Sequence, residues 1–149
     1  MWFAAIHFQP AQMPGLLMIG LVLTGGEPTI RRDLVEIVRH ARALGYFPIQ
    51  VQTNGRMLAY RALVERLIAA GVSEFSPALH GPSAEVHDAL TQAPGAFVET
   101  VEGIRNVLRS RAQIVTNTVV VTGNLPHLSG TIELLGRLGV RHAQLALVH

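Results

Sequence analysis

Cysteine is absent from this chain of 149 residues, which excludes a disulfide framework and any metal site built on thiolates. Lysine is absent too, so every cationic side chain is arginine. Charge is sparse at 15% of residues with a net +2, and the sequence pI near 9.9 therefore reflects few titrating groups rather than a basic surface. The arginines, among them Arg39, Arg42, Arg105 and Arg109, fall on expected helix faces and near helix ends, where they offset the helix dipole. Aromatics are only 5% and are not interleaved with a basic stripe, so a nucleic-acid partner is not expected. No apolar run approaches the roughly 20 residues of a membrane-spanning helix. No formal charge precedes Glu27, and Pro10, Pro14 and Gly15 interrupt the leading segment, so a secretory signal is not expected either. These absences point to a soluble, cytoplasmic protein with no membrane partner; oligomeric state is left open.

What is present reads as one ordinary domain. Hydrophobic residues make up 49%, which excludes disorder, and a chain of this size buries about two thirds of the surface it would expose unfolded. From Leu21 onward, strand-like and helix-like segments alternate. Apolar residues run to Thr24 as a short buried strand, and Gly25-Gly26 breaks the run before Glu27 and Pro28 open a helix. Leu34, Ile37, Val38, Ala41 and Leu44 fall at helical spacing, and Gly45 stops that helix. Phe47 to Thr53 is the next strand, followed by Asn54-Gly55 and a helix from Leu58 to Ala70. A strand from Glu74 to His80 leads to a short helix that Ser83 could cap, then to a longer helix with Phe97, Val101, Ile104 and Leu108 on its buried face. Gln113 to Val121 is the most β-branched strand. A last helix runs from about Pro126 to Leu138, and a last strand from Arg141 to Val148.

Strands separated by helices of this length imply parallel pairing through crossovers, hence an α/β fold of about five βα units. A sheet covered on both faces would be apolar throughout, yet Gln50, Gln52 and Asn54 oppose Ile49 and Val51 along one strand. Ser76, Ala78 and His80 oppose Phe75, Pro77 and Leu79, and His142 and Gln144 oppose Ala143, Leu145 and Leu147. One dry and one polar face suit a partial barrel with helices outside and a polar site inside. Glu27, Asn54, His80 and Asn124 end successive strands on the rim where α/β proteins bind ligands, so they could meet around one ligand, and Glu27 beside a Gly-Gly turn offers an acceptor for an ammonium.

The ordered motifs carry a resemblance. TGGEPT from Thr24 to Thr29, followed by Arg32-Asp33-Leu34, resembles the second-strand motif of the radical S-adenosylmethionine enzymes, whose carbonyls and Glu bind the methionine amino group of the cofactor. TNG at Thr53 to Gly55 resembles the end of that family's third strand. LHG with EVHD, from Leu79 to Asp88, resembles the fourth strand and its helix, and VTNTVVVTGN continues the series. GGEP alone would be weak, whereas the ordered series is strong. The similarity covers about Leu21 to Val148. It implies S-adenosylmethionine as cofactor and Gly25, Gly26, Glu27, Thr53, Asn54, Ser76, His80 and Asn117 as candidate cofactor-facing residues, with no catalytic residue assigned. Asn54 could instead serve its turn alone, and His80 could be a hydrogen-bonded strand-end histidine. Asn117 lies between Thr116 and Thr118, so alternation leaves it facing either the site or a neighbouring backbone.

Two departures stand out. The family's three cysteines, spaced CxxxCxxC after the first strand, hold a four-iron four-sulfur cluster that cleaves the cofactor reductively; here they are missing, so the cluster should not bind. Many relatives also place a Ser where this chain has Ala78. The expectation is a partial core over residues 21–149, without its first strand and cluster loop, behind an unrelated leader over residues 1–20. Such a remnant would not be catalytic alone; the alternative is a non-catalytic module that binds S-adenosylmethionine or another nucleotide, and a disrupted reading frame would give the same pattern. The strand at Leu21 to Thr24 would then lack its neighbour, and part of Trp2 to Phe8 is expected to cover that edge, with Leu16 to Ile19 extending the strand backwards.

Overall fold

The computed structural model describes residues 4–10 and 17–147. Seven strands and five helices follow one another as β1 (Ala4–Pro10), β2 (Leu17–Leu23), α1 (Leu34–Ala43), β3 (Ile49–Thr53), α2 (Arg61–Ala70), β4 (Glu74–Pro77), α3 (Ala84–Thr91), α4 (Ala96–Leu108), β5 (Gln113–Ile114), β6 (Thr116–Val120), α5 (Leu128–Leu138) and β7 (Ala143–Leu147). Strands β2 to β5 pair in parallel in chain order, and β6 pairs in parallel with β7. The two sheets join where Ala78 bridges Asn117 and the Leu79 amide donates to the Asn117 carbonyl at 2.9 Å. Among the described residues the sheet does not close, as expected of a partial α/β barrel. No helix among them is long and apolar enough to cross a membrane.

The dry face forms as the alternation implies. Ile49 and Val51 of β3 are fully buried, as are Phe75 of β4, Val38 of α1, Leu67 of α2 and Ile104 of α4. On the other face Gln50 lies beside Glu74 and Gln52 beside Ser76 in register. Gln52 Nε2 donates to Gln50 Oε1 at 3.2 Å, and Gln50 Nε2 donates to Glu74 Oε1. The polar face thus carries its own hydrogen-bonded row.

Four expectations change, the first being the strand expected to run from Glu74 to His80, which ends at Pro77. The single strand from Gln113 to Val121 is two: the Val115 amide donates to the Phe75 carbonyl, but the Thr116 amide turns to His142. β-Branching favours extended backbone at all these residues and does not specify the neighbour each one pairs with. The dry face of β7 is not dry, with Leu145 44% and Leu147 71% exposed; alternation assigns residues to a face but cannot say whether anything covers it. The helix expected from Leu58 begins at Arg61, because Arg56–Ala59 forms a 3-10 turn first. Leu58 is fully buried in that turn, which α4 clamps closely. A Cβ on Gly103 would lie 2.5 Å from the Gly55 carbonyl and 2.8 Å from Leu58 Cβ, and Asn106 Nδ2 donates to the Leu58 and Ala59 carbonyls at 3.0 and 2.9 Å.

The outer edge of β2 is covered by β1, paired antiparallel with Ala4 opposite Leu23 and Pro10 opposite Leu17. The expected cover is met from Ala4 onward; Trp2 and Phe3 lie outside the described residues. β2 also starts at Leu17, extended backwards as anticipated. Removing residues 1–15 would bare a row of unpaired donors and acceptors along β2. That variant should form concentration-dependent oligomers in size-exclusion chromatography with light scattering, whereas a monodisperse monomer would show that β1 does not protect the edge.

Candidate functional site

The rim is built around the turn that ends β2. Gly25 takes φ +128, a region that favours glycine, and delivers Glu27 to the cap of a 3-10 turn at Pro28–Ile30. Glu27 Oε1 accepts hydrogen bonds from the Thr29 amide at 3.0 Å, from the Thr29 hydroxyl, and from Thr53 Oγ1 at 2.6 Å. Oε2 accepts the Asn54 amide at 2.6 Å. Both threonines are buried, so the carboxylate ties the end of β2 to the end of β3. An ionised carboxylate offers about four lone-pair positions; three donors crowd Oε1 and a single one occupies Oε2, which leaves Oε2 room for another donor. Beside it, a Cβ on Gly26 would meet nothing within 4 Å, so the backbone of this turn faces open space.

The Asn54 side chain serves the turn. Its Oδ1 accepts the Arg56 amide at 3.0 Å, while its carbonyl accepts the Thr100 hydroxyl of α4 at 3.0 Å. The left-handed residue here is Gly55, at φ +86. Asn54 therefore meets Glu27 through its backbone.

His80 belongs to a second cluster. Its amide donates to His87 Nδ1 at 3.0 Å, its own Nδ1 accepts the Val119 amide at 3.3 Å, and the two rings stack at 5.7 Å between centroids. Since both Nδ1 atoms accept, both imidazoles carry their proton on Nε2. Burial lowers the pKa of His80, and burial together with the neighbouring His80 pushes His87 down to about 4. Asn124, expected to face a ligand, is instead consumed: its Nδ2 donates to the His80 and Val119 carbonyls at 3.0 and 2.8 Å, and its Oδ1 accepts the Val121 amide at 2.8 Å. The anticipated meeting of four rim residues thus resolves into one cluster on β2 and β3 and another on β4 and β6.

Ser76 and Asn117 lie on the polar face. Ser76 is 4% exposed beside Gln52. Asn117 shares its register with Gln144 of β7, and its Oδ1 is buried with no partner among the described residues. A cleft of about 300 Å³ on this face is lined by Gln50, Gln52, Glu74 and Gln144. Sequence reasoning placed Thr29 at the end of TGGEPT and His87 within EVHD without giving either a contact; the structure adds Thr29 as a donor to Glu27 and His87 as the acceptor of the His80 amide.

The radical SAM superfamily profile matches residues 18–135, a span that includes every candidate cofactor-facing residue. The chain belongs to this superfamily. An AdoMet-dependent heme synthase of Methanosarcina barkeri is 39% identical over 119 residues, covering 80% of this chain and 34% of that protein. Another, from Oleidesulfovibrio alaskensis, is 34% identical over 119 residues, covering 80% and 30%. A probable GTP 3',8-cyclase of Saccharolobus islandicus is 38% identical over 128 residues, covering 85% and 41%. The chain therefore spans well under half the length of these curated relatives. The solved structure of TYW1 with a lysine-pyruvate adduct bound matches with a TM-score of 0.70 at 15% identity, covering 86% of this chain and 41% of that one, a likeness of fold.

This radical SAM chain has no thiolate to offer a cluster, and no group of three or more His, Cys, Asp or Glu side chains able to hold a metal converges among the described residues. The four-iron four-sulfur cluster does not fit the residues present. The histidine pair makes a separate prediction. His87 stays neutral when folded down to about pH 4 but takes up a proton near pH 6.5 when unfolded, so the unfolded state binds more protons between those values. Stability to urea should fall as pH drops through that window, by on the order of 2–3 kcal/mol, and His87→Gln should flatten the slope. An unchanged slope in the variant would assign it to other groups.

Proposed function

We propose that this chain keeps the S-adenosylmethionine-facing frame of a radical SAM core and does not, by itself, cleave the cofactor reductively. Superfamily membership supplies the frame. The missing thiolates supply the second half, because in this chemistry the cofactor and cluster do the difficult step and the protein holds and orients them. Without ligands for the cluster, the electron that would enter the sulfonium has no route through these residues.

A second reading, retained binding without cleavage, draws on one observation: the Glu27 carboxylate is held rigid by Thr29, Thr53 and the Asn54 amide while Oε2 keeps an acceptor position beside the open Gly26 backbone. A cationic amino group donating there would form a charge-assisted bond of the stronger class. The orphaned Asn117 Oδ1 supports the same reading, as an acceptor on the polar face left for a ligand's donor. Affinity should be low, since one such contact does not replace the chelation a cluster provides. The ligand class is a small molecule; the relatives named as heme synthase and cyclase give no ground for assigning either substrate here.

Two measurements test this. After reconstitution with iron, sulfide and reductant, the chain should show no cluster absorption and yield no deoxyadenosine from S-adenosylmethionine; both signals together would overturn the proposal. Calorimetry should detect weak S-adenosylmethionine binding that Glu27→Gln reduces by about tenfold. Complete absence of binding would remove the second reading and leave a remnant.

A further inference from the structure

We infer that the cleft at the amino ends of β3, β4 and β5 binds a small anion with an apolar body, held by Arg42 and Arg111. This cleft, about 640 Å³, begins at Pro48, Glu74 and Gln113, at the opposite end of the strands from Glu27. It is independent of the cofactor reading.

Arg42 is held in place rather than trailing in solvent. Its stem lies along Gly71, where an added Cβ would come within 3.0 Å of Arg42 Cβ and Cγ, and its guanidinium stands 5.1 Å from the centroid of the Phe47 ring. A cation over an aromatic face is attracted by the ring quadrupole, so Phe47 fixes the charge at the mouth of the cleft. Arg111, from the turn between α4 and β5, lines the same cleft and also an adjoining one of about 260 Å³ that Arg61 and Arg109 border. Arg61 and Arg109 have acidic partners in Glu65 and Glu102. Among the described residues neither Arg42 nor Arg111 forms an ion pair.

Glu74 is the one acid lining the cleft, and it receives the Gln50 amide on the polar face of the sheet. The remaining formal charge lining the cleft is positive, from Arg42 and Arg111, which attracts an anion. Guanidinium forks match phosphate and carboxylate oxygens. Phe47, 38% exposed, with Ile68 and Val72, supplies an apolar wall for the rest of the ligand. The combination fits an organic phosphate or carboxylate better than a bare inorganic ion.

The test uses the full 149-residue chain and titrates phenyl phosphate, benzoate and inorganic phosphate by calorimetry and amide chemical shifts. At least one aromatic anion should bind more tightly than inorganic phosphate, and the tighter of phenyl phosphate and benzoate identifies the class. Arg42→Gln and Arg111→Gln should each weaken that binding by about tenfold or more. Phe47→Ser should abolish the advantage over inorganic phosphate, and Glu27→Gln should leave binding unchanged, which separates this site from the rim. Absence of binding by every probe, or equal affinity in the double arginine variant, would overturn the inference. Both arginines are exposed, and an unchanged urea midpoint in each variant separates lost binding from lost fold.

Discussion

The constraint on which the rim depends is the partly buried Glu27 carboxylate. A charged group taken out of water must find donors or its desolvation goes uncompensated, and here two threonine hydroxyls and two backbone amides meet it. Those donors come from both sides of a parallel strand pair, so satisfying the charge also fixes where β2 ends relative to β3. The consequences reach inward. Asn54 is fixed at its amide by Glu27 and at its carbonyl by Thr100, and Gly55 next to it lies against Gly103, so that α4 packs at a distance only glycine permits. The Glu27 carboxylate at the rim is thereby connected to the core through Asn54, Thr100 and the contact between Gly55 and Gly103.

The other half of the rim is closed by a different device. His87 Nδ1 and Asn124 bond the His80 backbone just past β4, and His80 Nδ1 and Asn124 bond Val119 of β6, so the Asn124 amide and both Nδ1 atoms are taken up internally. Asp88, next to His87, adds the join to the following helix by accepting the Gly95 and Phe97 amides at 2.7 Å each. The LHG and EVHD stretches therefore act chiefly to lock α3 and α4 against the sheet. Among the described residues, acceptors with spare capacity include Glu27 Oε2 and the buried Asn117 Oδ1 and Thr116 Oγ1.

Much of this was legible in the sequence, for reasons that differ by residue. Ile49 and Val51 against Gln50 and Gln52 announced a two-faced strand, because alternation is local and forced by backbone geometry. The glycine stops and the order of TGGEPT and TNG placed the ends of β2 and β3 to within a residue, whereas the strand expected to reach His80 ends at Pro77, with Ala78 only bridging Asn117. What stayed hidden were contacts between distant residues: Thr53 reaches Glu27 across 26 positions and Asn124 reaches His80 across 44, and no spacing rule encodes such pairs. Asn124 looked like a ligand residue because position on a rim does not reveal whether a side chain's hydrogen bonds are already used. The partner switch at Val115 and the exposure of Leu147 were hidden for a similar reason, since both depend on neighbours rather than on the strand itself.

The account rests on Glu27 serving two purposes, tying the strand ends through Oε1 while keeping Oε2 for an amino group. A crystal structure of the chain soaked with S-adenosylmethionine tests this most directly. The account predicts the methionine amino group within hydrogen-bond distance of Glu27 Oε2, beside Gly25 and Gly26, with the Thr29 and Thr53 contacts to Oε1 intact. Ligand bound elsewhere with Glu27 unchanged, or bound only after Glu27 has left Thr53, would contradict it.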